Sequence, residues 1–138
     1  MNRALLTAGI LSVLFALPIS ASAKLSLTLP VSCDFQYGQY MDSQKAETDV
    51  QKSVLEWNFF ELLGAKPTYL SGGDSGSLTV YRQKTSDGVS MLLKQGNGAH
   101  LFSIWPDGTA FWSKHNDLFG QKATQQFRGT CKNIRKTD

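Results

Sequence analysis

The chain has 138 residues with 14 Lys+Arg against 11 Asp+Glu, and its first 23 residues read as a removable leader that takes Arg3 and no acid with it. What remains is one domain, and its excess of two positive charges is too small to name nucleic acid as a partner. Aromatic residues make up 11% of the chain, all but Phe15 fall after the leader, and so the remainder can build a packed core rather than a disordered segment.

The leader opens with Asn2-Arg3, runs apolar from residue 4 to 17, breaks at Pro18 and ends in Ala21-Ser22-Ala23. This is the three-part layout of a secretory signal peptide, with cleavage expected between Ala23 and Lys24. The apolar run is shorter than the roughly 20 residues that cross a bilayer, and no long one follows it. The expected product, residues 24–138, is a single periplasmic or secreted domain with no stable membrane insertion after cleavage. Export also places Cys33 and Cys131, the two cysteines, where disulfides persist, and two cysteines allow one pairing.

In residues 25–37 apolar side chains take every odd position, from Leu25 through Val31, Cys33 and Phe35 to Tyr37, a period of two that predicts a strand with Cys33 facing the core. Pro30 lies on the other face, tolerable at an edge or bend. Residues 42–53 turn polar around Ala46, Val50 and Val54, which predicts one short surface helix. Residues 54–63 are ambiguous. Val50, Val54, Trp57 and Phe60 suit a helix, whereas Leu55, Trp57 and Phe59 alternate with Glu56 and Asn58, and the aromatics with the Gly64 to Pro67 break tip the reading toward a strand.

The rest reads as hairpins, with strands expected over 66–71, 77–84, 89–95, 100–105, 110–115 and 123–131. Ser86-Asp87-Gly88, Gly96-Asn97-Gly98 and Pro106-Asp107-Gly108 lie between them as tight turns. Ala123, Phe127 and Cys131 share one face of the last strand, so a Cys33–Cys131 bridge would tie the first strand to the last. The expected fold is all-β: a seven- to eight-stranded antiparallel meander closing into a small barrel or curled sheet, with one short helix and one disulfide.

Several groupings could carry chemistry. Gly73-Asp74-Ser75-Gly76 resembles the loop around the nucleophile of chymotrypsin-like proteases, which would make Ser75 the nucleophile. That family places its histidine and acid before the serine, however, and here both histidines, His100 and His115, follow it; a glycine-rich turn is the plainer reading. The histidines themselves read as surface or turn residues, with no metal-ligand spacing around them, and no cofactor motif is present. No pair of carboxylates is singled out for glycoside chemistry.

The aromatic hairpin carries more weight. Phe102, Trp105, Phe111 and Trp112 fall on two adjoining strands, and Leu101, Ile104 and Ala110 make both faces of that hairpin partly apolar. Either both faces are covered, as in ring-on-ring core packing, or one is a binding surface, with Lys114, His115, Asn116 and Asp117 as its polar rim.

The stretch Trp112-Ser113-Lys114-His115, a glycine loop, and then Gln126-Phe127-Arg128-Gly129-Thr130-Cys131 resembles small secreted proteobacterial β-domain proteins of unassigned function, over about residues 54–131. The anatomy of leader, β meander and end-to-end bridge is more distantly similar to that of periplasmic lysozyme inhibitors, and an inhibitor role on this basis is fold-level analogy. Together these features predict a non-catalytic envelope module that binds a protein partner, with a barrel carrier of a small apolar ligand and a Ser75 hydrolase as the rival readings.

Overall fold

The computed structural model describes residues 23–42, 46–48, 54–118 and 121–134; the expected leader, apart from Ala23, lies outside them. Among these residues the protein is all-β, with ten strands: β1 (Val31–Asp42), β2 (Ala46–Thr48), β3 (Leu55–Phe60), β4 (Thr68–Ser71), β5 (Asp74–Ser77), β6 (Thr79–Arg82), β7 (Val89–Gln95), β8 (Gly98–Ile104), β9 (Thr109–Leu118) and β10 (Gln121–Asn133). All pairs are antiparallel, in the order β5-β4-β3-β1-β10-β9-β8-β7-β6, with β2 attached to β1. The first and last long strands are therefore neighbours at the middle of the path. No helix of the described residues is long and apolar enough to cross a membrane.

The strand count exceeds the seven or eight expected for two reasons. Asp74–Gly76, expected within a glycine-rich turn, belong to a strand of their own, β5, which pairs with β4, while the strand expected over 77–84 is reduced to β6, which pairs with β7; the chain changes partner at Leu78, whose N–H donates to the Pro67 carbonyl at 2.9 Å. The chain thus runs directly from one end of the path to the other, which curls the sheet into a nearly closed barrel. The second reason is β2. It occupies residues 46–48, where the short helix was expected, and its pairing with β1 gives these backbone groups a ladder in place of helical bonds. The remainder of the expected helix falls outside the described residues. The ambiguous segment 54–63 contains a strand, β3, in register with β1 from Val31 opposite Phe59 to Phe35 opposite Leu55.

Odd-position alternation holds where it is paired: Val31, Cys33 and Phe35 are fully buried. It fails at both ends. Residues 25–30 are not strand; Leu25 and Leu27 are still buried, Leu29 is half exposed, and the Leu25 N–H donates to the Pro106 carbonyl. Beyond Phe35 a β-bulge shifts the register against β10, which re-aims the rest of β1.

The bulge explains one glycine. A Cβ on Gly129, opposite Phe35, would run into the Asp34 carbonyl oxygen and the Phe35 ring. Both are held by the sheet and cannot move aside cheaply. Gly129→Ala is therefore expected to destabilise the fold by about 2 kcal/mol, as overpacking does; a urea midpoint equal to that of the unaltered protein would show that the bulge can relax.

Cys33 and Cys131 face each other directly across β1 and β10, with Cα atoms 4.1 Å apart, and are joined by a disulfide. Inside the barrel the rings of Phe35, Trp57, Phe59, Phe102, Trp112 and Phe127 pack together, from the stacked Trp112–Phe127 pair at 4.3 Å to the Trp57–Phe59 pair at 6.3 Å.

Candidate functional site

Cross-strand register sorts the aromatic hairpin into two faces. Residues directly opposite in an antiparallel pair project to the same side. Phe102 opposite Trp112, with Met91 beyond one and Phe127 beyond the other, forms an inward row. Phe102 and Trp112 thus belong to the core, the first fully buried and the second 5% exposed. Phe111, one residue away, projects outward and is 48% exposed, with the half-buried Trp105 against it edge to face at 5.8 Å. The four aromatics expected as one surface are split between core and exterior.

The polar stretch after Trp112 is split in the same way. Lys114 lies opposite the buried His100 and Asn116 opposite Gly98, so both share the inner side, whereas His115 and Asp117 are exposed on the outer side. The His115 Nε2 and Ser113 Oγ are 2.9 Å apart on that outer side.

Two outer rows follow from the register. One runs Thr79, Leu92, Leu101, Ser113 and Gln126; the other runs Tyr81, Ser90, Ser103, Phe111 and Arg128. Leu101 is 45% and Tyr81 55% exposed, and the hydroxyls of Ser90 and Ser103 lie 3.0 Å apart between them. The result is a sheet face with apolar anchors, hydrogen-bonded serines and a charged edge at Arg128. Leu92 and Tyr81 were missed in the sequence, and Leu101 was read only as making the hairpin partly apolar, although the alternation of His100, Phe102 and Ile104 against Leu101 and Ser103 already separates inner from outer positions.

The inner side changes character along the barrel. Val89, Ile104 and Ala110 make an apolar row; Met91, Phe102, Trp112 and Phe127 the next; then come Leu93, His100, Lys114 and Gln125, and finally Gln95, Gly98, Asn116 and Ala123. On the opposite wall at this end the Tyr69 hydroxyl donates to Asp74 Oδ2 at 3.2 Å, and Gln95 Nε2 donates to the same oxygen at 2.6 Å. Burial first, and then the Asp74 carboxylate, raise the Tyr69 pKa above 10.0. A groove of about 780 Å³ lies at this end of β7–β10, lined by the outer-side Lys94, Ala99, His115, Asp117, Lys122 and Thr124 together with Gly98, Asn116 and Ala123.

His100 is not the surface or turn histidine its sequence position suggested. It is 4% exposed, packed against Trp57, Phe102 and Trp112, and its Nδ1 has no hydrogen-bond partner; neither has Trp112 Nε1. Burial, reinforced by the Lys114 charge, pushes the His100 pKa down from 6.5 to about 4.

Ser75 lies on β5 opposite Leu70, on the exposed side, and its backbone N–H donates to Asp74 Oδ1 at 2.9 Å. The flanking turn is made by Gly72 and Gly73, both at positive φ, as a tight hairpin requires. Among the described residues His100 is inside the barrel and His115 is hydrogen-bonded to Ser113, and neither is hydrogen-bonded to Ser75. Among the described residues no three His, Cys, Asp or Glu side chains converge as a metal site. A second groove, of about 890 Å³, crosses the outside of β3, β1 and β10, where Asp34, Glu56 and Asp107 meet Lys24 and Lys132 in a surface of mixed charge.

No family model, curated protein or solved structure matches this chain.

Proposed function

We propose that this protein is an exported, non-catalytic binding module of the cell envelope that presents the outer face of β6–β9 to a protein partner. The observation that carries the reading is the outward placement of Leu101 and Phe111, each nearly half exposed and diagonal to one another on adjoining strands, with Leu92 beside Leu101, Trp105 against Phe111 and Tyr81 at the far end of the Phe111 row. Protein interfaces concentrate aromatic and aliphatic anchors in a centre ringed by polar groups, and Arg128, Ser113, His115 and Asp117 supply such a ring here. The ring packing inside the barrel favours this over the carrier reading, because a carrier keeps interior space for its ligand. The leader and the disulfide are both consistent with a location outside the cytoplasm. The distant similarity to periplasmic lysozyme inhibitors makes enzyme inhibition the first form of this role to examine.

The test is a cross-linking capture from envelope extract, run with a lysozyme inhibition assay, using the unaltered protein beside a Leu101→Ser/Phe111→Ser variant. Both side chains are exposed, so the fold should survive their replacement, while removing two interface anchors should weaken a specific complex by about a hundredfold. A partner retained equally by both proteins would overturn the assignment of this face.

A further inference from the structure

The stretch that joins the two ends of the path bonds in opposite directions along its length. Even-numbered backbone groups turn toward β4: the Leu78 N–H reaches the Pro67 carbonyl at 2.9 Å, and Gly76 and Asp74 stand opposite Tyr69 and Ser71 in the same register. Odd-numbered groups turn toward β7: the Gln83 N–H reaches the Gly88 carbonyl at 2.9 Å, and Tyr81 and Thr79 continue that ladder opposite Ser90 and Leu92. Successive residues of a strand address opposite neighbours, so the N–H and C=O groups of Val80 and Arg82 point away from β7, to the side where β4 would continue. β4 does not reach them. It begins at Thr68, and residues 61–67 turn off instead of running beside β6. Among the described residues no backbone bond joins Val80 or Arg82 to that segment.

The gap is a groove of about 370 Å³, lined by Leu62, Leu63, Pro67, Leu78 and Val80, with Arg82 as the one charged residue of its lining. Its floor belongs to the core: Leu62 and Leu78 are buried, and Leu63 and Val80 pack against them and their neighbours. Arg82 is exposed and makes no salt bridge among the described residues. Nearby, the exposed Lys66 and Lys84 stand against Glu61, whose carboxylate lies beside Gly64, so the surroundings are net positive. The corresponding gap between β5 and the end of β7 is spanned by Gln95 Nε2 on Asp74 Oδ2 at 2.6 Å, and the lower gap has no such bond among the described residues. Open strand edges are commonly blunted by proline or a bulge, and Thr79–Arg82 carry neither.

We propose that this groove is a strand-addition site for an extended acidic-x-apolar segment of a partner protein, which pairs antiparallel with Val80 and Arg82. Residues directly opposite each other in such a pair project to the same side, and Val80 and Arg82 share the inner side with Met91 and Val89. The partner residue opposite Arg82 therefore places its carboxylate beside the guanidinium. Two positions later, the residue opposite Val80 places an apolar side chain over Leu62 and Leu78. The residue between them points outward beside Tyr81 and is free to vary. Main-chain bonds supply affinity and the two inward side chains supply selection. The 61–67 turn walls the groove on its far side, which suits one extended segment rather than the broad edge of a second copy. Neither Leu101 nor Phe111 takes part, so this site and the docking face stand or fall separately.

The experiment is a titration of the purified, disulfide-bonded protein with the capped peptide acetyl-Thr-Glu-Thr-Val-Thr-amide, following the backbone amides of Val80 and Arg82 by NMR. Before peptide is added, these two amides should exchange with solvent at least about tenfold faster than those of Thr79 and Tyr81. The peptide is expected to move them saturably, with a Kd of about 1 mM or tighter. Replacing its Glu by Lys should weaken binding about fivefold, and its Val by Ser about tenfold. An ester in place of the Val N–H, which removes a donor to the Val80 carbonyl, should also weaken it about tenfold, and an ester at the central Thr much less. Arg82→Glu should reverse the order of the Glu and Lys peptides. The proposal is overturned if neither amide moves up to about 10 mM peptide, if the two esters weaken binding equally, or if the Lys peptide matches the Glu peptide on the unaltered protein. Slow exchange at Val80 and Arg82 in dilute protein alone would mean that this chain already covers the edge. Shifts there that follow protein concentration would assign it to a second copy. Either result would also overturn the proposal.

Discussion

A Cys33→Ala/Cys131→Ala double variant is expected to lose about 4 to 5 kcal/mol of unfolding free energy, because the bridge closes a loop spanning a sequence separation of 98 residues. Domains of this size are stable by only about 5–15 kcal/mol, so the reduced form should sit near its unfolding midpoint under mild conditions. Topology makes the loss larger than for a bridge at a sheet edge. β1 and β10 meet at the middle of the strand order, and each is flanked on its other side by half of the remaining sheet. Their pairing is the most non-local in the chain, and its closure entropy must be met before any contact between the two halves stabilises the fold. Equilibrium urea unfolding of the double variant checks this. Alongside the lower midpoint, the slope should steepen, since an unfolded chain freed from the loop exposes more surface. A loss below about 1 kcal/mol would mean that the β1–β10 ladder alone holds the ends together, contrary to the chain-entropy account.

The elements that were legible in the sequence are those whose cause is local. The strand over 89–95 has the limits expected of it, because Val89, Met91 and Leu93 alternate strictly and turn residues bound it on both sides. The turns too follow local chemistry, with Asp87, Gly96 and Gly108 taking the positive φ in the three segments expected to turn. The disulfide was legible from cysteine count and compartment. What could not be read depends on the partner strand. The bulge after Phe35 answers to the approach of Gly129 from β10, and nothing in residues 35–37 alone announces it. The break at Leu78 exists because β4 and β7 claim different halves of one extended stretch. The site lies between these cases. Residue parity was enough to place Phe102 and Trp112 inside and Phe111 outside, but treating the aromatics as one group overrode it. His100 follows the same parity as Phe102 and Ile104, and a polar side chain in such a row is the signal that pointed to the inner end.

Acid should weaken this fold through His100. The imidazole has an ordinary pKa of 6.5 and a folded-state value of about 4, lowered mainly by burial and secondarily by the Lys114 charge. Above pH 6.5 the ring is neutral in both states and contributes no pH dependence. Between 6.5 and about 4 the unfolded chain takes up a proton that the folded barrel refuses, so stability falls as pH falls through this window and levels off below it. A shift of this size corresponds to about 3 kcal/mol. His100→Leu, which keeps an apolar body among Trp57, Phe102 and Trp112, should flatten this part of the profile. Lys114→Met should narrow the window from its acid side, since removing the nearby charge lets His100 protonate at higher pH within the fold. Urea midpoints measured at pH 7.5, 5.5 and 4 for the three proteins decide between outcomes. If the unaltered protein and His100→Leu lose stability in parallel, the imidazole is not what opposes protonation, and the packing of His100 inside the aromatic core would have to be abandoned.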